Sequence, residues 1–211
     1  CDLLKENAIA VGDPINVCVP TGNFGNILAA FYAREMGLPI QRLICASNSN
    51  NVLTDFIATG QYDRNRPFYT TVSPSMDILI SSNLERLLFL LSDGDDQLVA
   101  DYMKQLNEKG CYRVSDPIRK KIQAVFTGGF SSEADTEQTI AGMQERYGYL
   151  IDTHTAVAFH VLDQYRKKTG DMTKTVVAST ASPFKFCDAV LDALKVSDKA
   201  SGTALLDQLE Q

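Results

Sequence analysis

Two glycines and two asparagines fall within five residues, Gly22-Asn23-Phe24-Gly25-Asn26. An apolar run (15–19) precedes them and a helical pattern (27–36) follows at once. Glycine lets a chain turn tightly and brings backbone N–H groups close to a ligand. The first turn of a helix adds donors without acceptors and the positive end of the helix dipole. Strand, glycine loop and helix start together make a cradle for an anion, most often a phosphate. Asn23 and Asn26 supply amides that donate to phosphate oxygens or hold the loop. The loop is not a P-loop, because no Gly-Lys-Ser/Thr ends it, and its Gly-x-x-Gly spacing is not the dinucleotide fingerprint. Taken alone, the same spacing also suits a strand-to-helix turn with no ligand.

Other residues collect where ligands sit in open α/β sheets, at the carboxyl ends of strands. Asn48 and Asn50 follow a second buried strand (41–46), and Thr180 follows a third (174–179). Each also has a plain reading, a polar turn for the asparagines and a helix cap for Thr180. Asn83 either lines the same crevice or caps a helix, and Arg86 reads as a structural ion-pair residue. His154, at a helix start, reads as a cap or packing residue, and His160 lies on an apolar helix face. Asp77 and Asp152 show no partner that would make either an acid or a base. The two histidines of the chain exclude a histidine-rich metal centre.

The elements that must position these groups alternate. A β-α-β start (15–19, 27–36, 41–46) predicts parallel strands. Val52–Thr59 is a helix that leads into a long polar loop (60–67), and 73–80 is extended in places. Leu84–Leu91 is so apolar that it reads as buried all round. Further helices are expected at 95–109, from Asp116-Pro117, and at 132–147, 153–168, 182–194 and 202–211. Short strands are expected at 111–114 and, as strand or loop, at 126–132. The first residues (1–8) read as the last turns of a helix, so the chain (1–211) is expected to be a piece of something longer. The fold class is α/β, a parallel sheet with helices on both faces.

Composition fits that class. The chain has 211 residues, 45% of them hydrophobic and 22% charged, which suffices for a buried core. A net charge of −6 argues against a nucleic-acid or anionic-membrane surface. No apolar run approaches the ~20 residues of a membrane span, and no signal peptide is visible. The five cysteines, Cys1, Cys18, Cys45, Cys111 and Cys187, are scattered and odd in number. They read as reduced thiols of a cytoplasmic protein, with no metal site.

Four stretches carry a resemblance to the threonine synthases, pyridoxal-phosphate enzymes of fold type II. The first is Val19-Pro20-Thr21-Gly22-Asn23-Phe24-Gly25-Asn26. The second joins Pro74-Ser75-Met76-Asp77 to Ser82-Asn83-Leu84-Glu85-Arg86. The third is Asp152-Thr153-His154-Thr155-Ala156, where the family usually has Pro in place of Thr153. The fourth is Ser179-Thr180-Ala181-Ser182-Pro183-Phe184-Lys185-Phe186. The resemblance covers the whole chain but only the carboxyl-terminal half of such an enzyme. It implies that O-phospho-L-homoserine and water become L-threonine and phosphate, with pyridoxal 5′-phosphate as cofactor. It implies that Gly22, Asn23, Phe24, Gly25 and Asn26 hold the cofactor phosphate and that Thr180 faces the pyridine nitrogen. Asn48, Asn50 and Asn83 are candidates toward cofactor or substrate. The family's Schiff-base lysine lies in an amino-terminal Ser/Asn-x-Lys-Asp-type motif that is absent here. The chain is therefore expected to be inactive without that domain. Lys185 resembles the lysine of the family's Ala-Lys-Phe tail, which is a different residue. Two alternatives stay open: a threonine-synthase-like phospho-lyase that makes a keto acid, and a non-catalytic module that binds a phosphorylated ligand.

Overall fold

A computed structural model describes residues 2–210; the expected helix at the start therefore shows only as α1 (Asp2–Lys5), and Cys1 and Gln211 lie outside the described residues. Four parallel strands form the main sheet in the order β5-β2-β1-β6. They are β1 (Ile15–Pro20), β2 (Ile40–Ser47), β5 (Phe126–Phe130) and β6 (Thr175–Val177). Side chains of a strand point alternately to its two faces, and here each face meets its own core. Val19, Leu43 and Cys45 point into one, while Cys18, Ile44 and Ala46 point into the other. Both faces of β1 and β2 are buried, so these strands read as continuous apolar runs rather than as alternation.

The first core is closed by α2 (Gly25–Glu35), α3 (Val52–Thr59), α4 (Leu84–Leu91), α5 (Asp96–Lys109) and α6 (Asp116–Val125). The second is closed by α8 (Thr153–Thr169), through Val157, Ala158, Val161 and Leu162. Helices thus cover both faces, as the alternating pattern predicts. A third core lies beneath α7 (Glu133–Tyr147), α9 (Cys187–Ala193) and α10 (Ala204–Glu210). Burial raises the thiols of Cys18 and Cys45, the latter to about 12. Among the described residues the cysteines are unpaired, and no helix is long and apolar enough to cross a membrane.

Several local expectations need correction. The polar stretch 60–67 contains a strand, β3 (Gln61–Asp63), which pairs antiparallel with β4 (Cys111–Arg113). Stacked rings hold this small ribbon to the core, Tyr62 on Tyr112 at 5.3 Å and Tyr102 on Tyr112 at 5.2 Å. Helix α4 is not buried all round. Leu84, Leu87 and Leu88 face the core, whereas Phe89 and Leu90 are 43% and 39% exposed. The helix expected over 182–194 begins as a 3₁₀ turn, Pro183–Phe186, before α9. The Asp116-Pro117 pair predicts Asp116 as the cap of α6 and Pro117 as its first residue; instead Ser115 precedes the helix, Asp116 opens it and Pro117 is second. The cap of α7 is a full capping box between Ser132 and Asp135.

Candidate anion-binding cleft

A cleft of about 270 Å³ opens at the carboxyl ends of β1 and β6. Gly22, Asn23, Phe24, Gly25 and Asn26 line it together with Asn83 and Thr180. Six sites singled out for the cofactor, and one of the three weighed more lightly, thus meet in one place. Ser75, Met76, His154 and Lys185 complete the walls. Sequence reasoning set His154 and Lys185 aside, although both stand in the motifs that carry the resemblance.

The loop is satisfied on one side only. Its carbonyls are engaged: Gly22 accepts from the Ser81 hydroxyl at 2.8 Å and Asn23 from the Asn83 amide at 2.7 Å. Phe24 accepts from the Leu28 N–H at 3.0 Å. Among the described residues, none of the N–H groups from Gly22 to Asn26 donates to a protein acceptor. The first N–H groups of any helix lack intrahelical acceptors, and a run of them that begins in the loop before the helix suits a multiply charged oxyanion.

The left-handed residue of the loop is Phe24 (φ 66°), not either glycine. A bulky side chain tolerates that region only when its surroundings hold it there. Here the ring is 1% exposed and packs 5.7 Å from Phe126. Gly22 serves packing: a Cβ there would lie 2.8 Å from the Ser75 carbonyl oxygen and 3.2 Å from Met76 Cα. At Gly25 the nearest atom would be Asn83 Nδ2, at 3.7 Å.

The wall formed by 73–76 is fixed from two sides. The Ser75 N–H donates to His154 Nε2 at 3.2 Å, and His154 Nδ1 lies 3.2 Å from Asp152 Oδ1. This pattern assigns a neutral His154 with its proton on Nδ1. Asp152 also caps α8 through the N–H groups of His154 and Thr155 and accepts from the Thr155 hydroxyl. Burial pushes its carboxyl up, but the hydrogen bonds from His154 and Thr155 prevail and hold it below the usual range. On the other side Asp77 accepts from Thr71 N–H at 2.8 Å and the Thr71 hydroxyl at 2.7 Å.

Asn48 and Asn50 belong to that second support and do not line the cleft. Asn48 donates to Asp77 at 2.7 Å and to Ser73 Oγ at 3.1 Å. Asn50 donates to Asp77 at 3.1 Å and to the Tyr69 carbonyl at 2.8 Å. Their amides tie down the stretch that carries Ser75, from residues about two dozen positions away in sequence. Arg86 corrects another expectation, because among the described residues it forms no ion pair.

Known proteins resemble this chain in sequence and in fold. A family model described as "Threonine synthase, C-terminal" matches residues 155–211. Human "Threonine synthase-like 1" is 44% identical over 198 residues, which cover 93% of this chain and 26% of that protein. The threonine synthase of Saccharomyces cerevisiae is 38% identical over 194 residues, covering 85% of this chain and 38% of its own length. The crystal structure of pyridoxal-phosphate-bound threonine synthase from Brucella melitensis aligns with a TM-score of 0.84 at 37% identity. It covers 99% of this chain, which spans 44% of that one. The chain thus spans less than half the length of each of these relatives. In sequence and in fold, it belongs with the carboxyl-terminal portion of the threonine synthase family.

Proposed function

We propose that this chain supplies the cofactor-phosphate cradle of a threonine synthase that converts O-phospho-L-homoserine and water to L-threonine and phosphate. The observation that carries the reading is the loop itself, whose carbonyls are taken by the protein while its N–H groups from Gly22 to Asn26 are not. Such donors, fixed in direction before a ligand arrives, hold a phosphate without reorganising. Pyridoxal phosphate, when bound, supplies an electron sink for carbanion chemistry. In this reading Gly22–Asn26 orient it by its phosphate, with Asn83 bracing the loop. Thr180, on the same cleft, offers a hydroxyl to the ring nitrogen; this bonds the nitrogen without the full protonation a carboxylate would favour. His154 stays neutral and holds the Ser75 wall. The Schiff-base lysine comes from a part of the polypeptide outside this sequence.

The test is to join the chain to the amino-terminal part of its own gene product and add pyridoxal phosphate and O-phospho-L-homoserine. Threonine and phosphate in equal amounts are expected, and none from the 211-residue chain alone. A keto acid in place of threonine would make the protein a phospho-lyase. Turnover by the chain alone would refute the assignment of the lysine.

A further inference from the structure

The cleft has one fixed charge. Lys185 lines it, and no Asp or Glu does. Three other lysines are paired in place, Lys121 with Asp93, Lys167 with Asp163 and Lys199 with Asp192; several more form no ion pair among the described residues, but of all the described lysines only Lys185 lines the cleft. Among the described residues Lys185 forms no ion pair, and its recorded neighbour is a ring. Its Nζ lies 5.5 Å from the centroid of Phe186. Phe186 in turn packs 4.8 Å from His154, which is 2% exposed and pinned by Asp152 and Ser75. An aromatic face steadies an ammonium without cancelling its charge. The 3₁₀ turn Pro183–Phe186 therefore presents an unneutralised cation, on an anchored support, to a cleft without carboxylates. That is the electrostatics of a site awaiting an anion.

We propose that Lys185 anchors a second anionic group, the phosphomonoester of the substrate, separate from the cofactor phosphate on the Gly22–Asn26 loop. The proposal rests on the function given above and adds the residue that selects a phosphorylated substrate. The two anions have different holders: rigid backbone donors after β1 for the one, a mobile point charge after β6 for the other. A flexible cation suits a phosphate that must leave as product, because it follows the group without fixing it.

The experiment uses the chain joined to its amino-terminal part, as in the activity test, and two probes. Pyridoxine 5′-phosphate reports the loop; it lacks the aldehyde and so cannot react with lysines. Inorganic phosphate, titrated with that probe saturating, reports the second site. Losing one charge-assisted contact should weaken phosphate about ten- to a hundredfold in Lys185→Met. Pyridoxine phosphate should change by less than about twofold, and Lys185→Arg should recover most of the phosphate binding. Unchanged phosphate affinity in Lys185→Met overturns the anchor and leaves the cofactor reading intact. An equal loss of pyridoxine phosphate also overturns it, by making Lys185 a ligand of the cofactor. Lys185-dependent phosphate binding without any pyridoxine phosphate binding would keep the anchor and reject the cofactor reading; binding of neither probe rejects both.

Discussion

The two glycines of the loop should fail in different ways when a methyl is added. At Gly22 the new Cβ would sit 2.8 Å from one backbone oxygen and 3.2 Å from one backbone carbon, in Ser75 and Met76. Neither can rotate away, because the segment is tied to His154 and, through Asp77, to Thr71. Relief needs a shift of the loop by about half an ångström, an overpacking cost of roughly 1–3 kcal/mol. The shift also misaims the loop's N–H groups, so Gly22→Ala should lose both stability and phosphate affinity. Gly25 is different. Its methyl would meet only Asn83, at an ordinary 3.7 Å, and its φ is not in the left-handed region. Replacing a glycine whose backbone an alanine can share stabilises by roughly 0.4–1 kcal/mol. The same methyl, however, lies beside Asn83 on the cleft, where it takes room from a bound phosphate. Gly25→Ala should therefore keep or raise the urea midpoint while weakening pyridoxine 5′-phosphate about tenfold or more, the worth of one charge-assisted bond. Urea unfolding and fluorescence titration of both variants decide the matter. Wild-type stability in Gly22→Ala would refute the packing argument, and wild-type affinity in Gly25→Ala would reduce the loop to a turn.

Thr180→Ala should leave phosphate binding intact and slow turnover of the complete enzyme at saturating cofactor; normal turnover would remove its hydroxyl from the ring nitrogen. Asp152 is held below the usual carboxylate range in the folded protein, so its contribution is present above the unfolded value of about 3.9 and is lost as pH falls through the folded one. Asp152→Asn should lower stability at neutral pH and flatten the acid limb of the stability–pH curve. An acid limb as steep as in the wild type would place its cause in other carboxylates.

Much of this molecule was legible before its coordinates. The buried runs of β1 and β2 announce themselves because a parallel strand has no wet face. The cap at Asp152 is of the same kind, a carboxylate that satisfies a helix start locally. What escaped depends on distant partners. The three-residue strand β3 carries too little pattern of its own, and what places it is its pairing with β4, the strand expected at 111–114, and the stacked tyrosines at 62, 102 and 112. The eight residues of α4 include five leucines and a phenylalanine, so its wet side is marked only by Glu85 and Arg86, one turn before the exposed Phe89 and Leu90. Asn48 and Asn50 look alike as site residues or as struts until Asp77 is seen between them. The positive φ of Phe24 is likewise a tertiary effect, since local preference would have placed it on a glycine.

Phe24 joins two parts of the protein that usually evolve apart. Its backbone belongs to the cleft, while its ring is shared property with Phe126 and the largest core. The strained backbone between them acts as a lever whose long arm is the interior. If the cofactor sits as proposed, substitutions that never approach the cleft, such as a smaller residue at 126, gain a route to retune its retention. A lineage drifting in its hydrophobic interior would in this way drift in its appetite for phosphate as well.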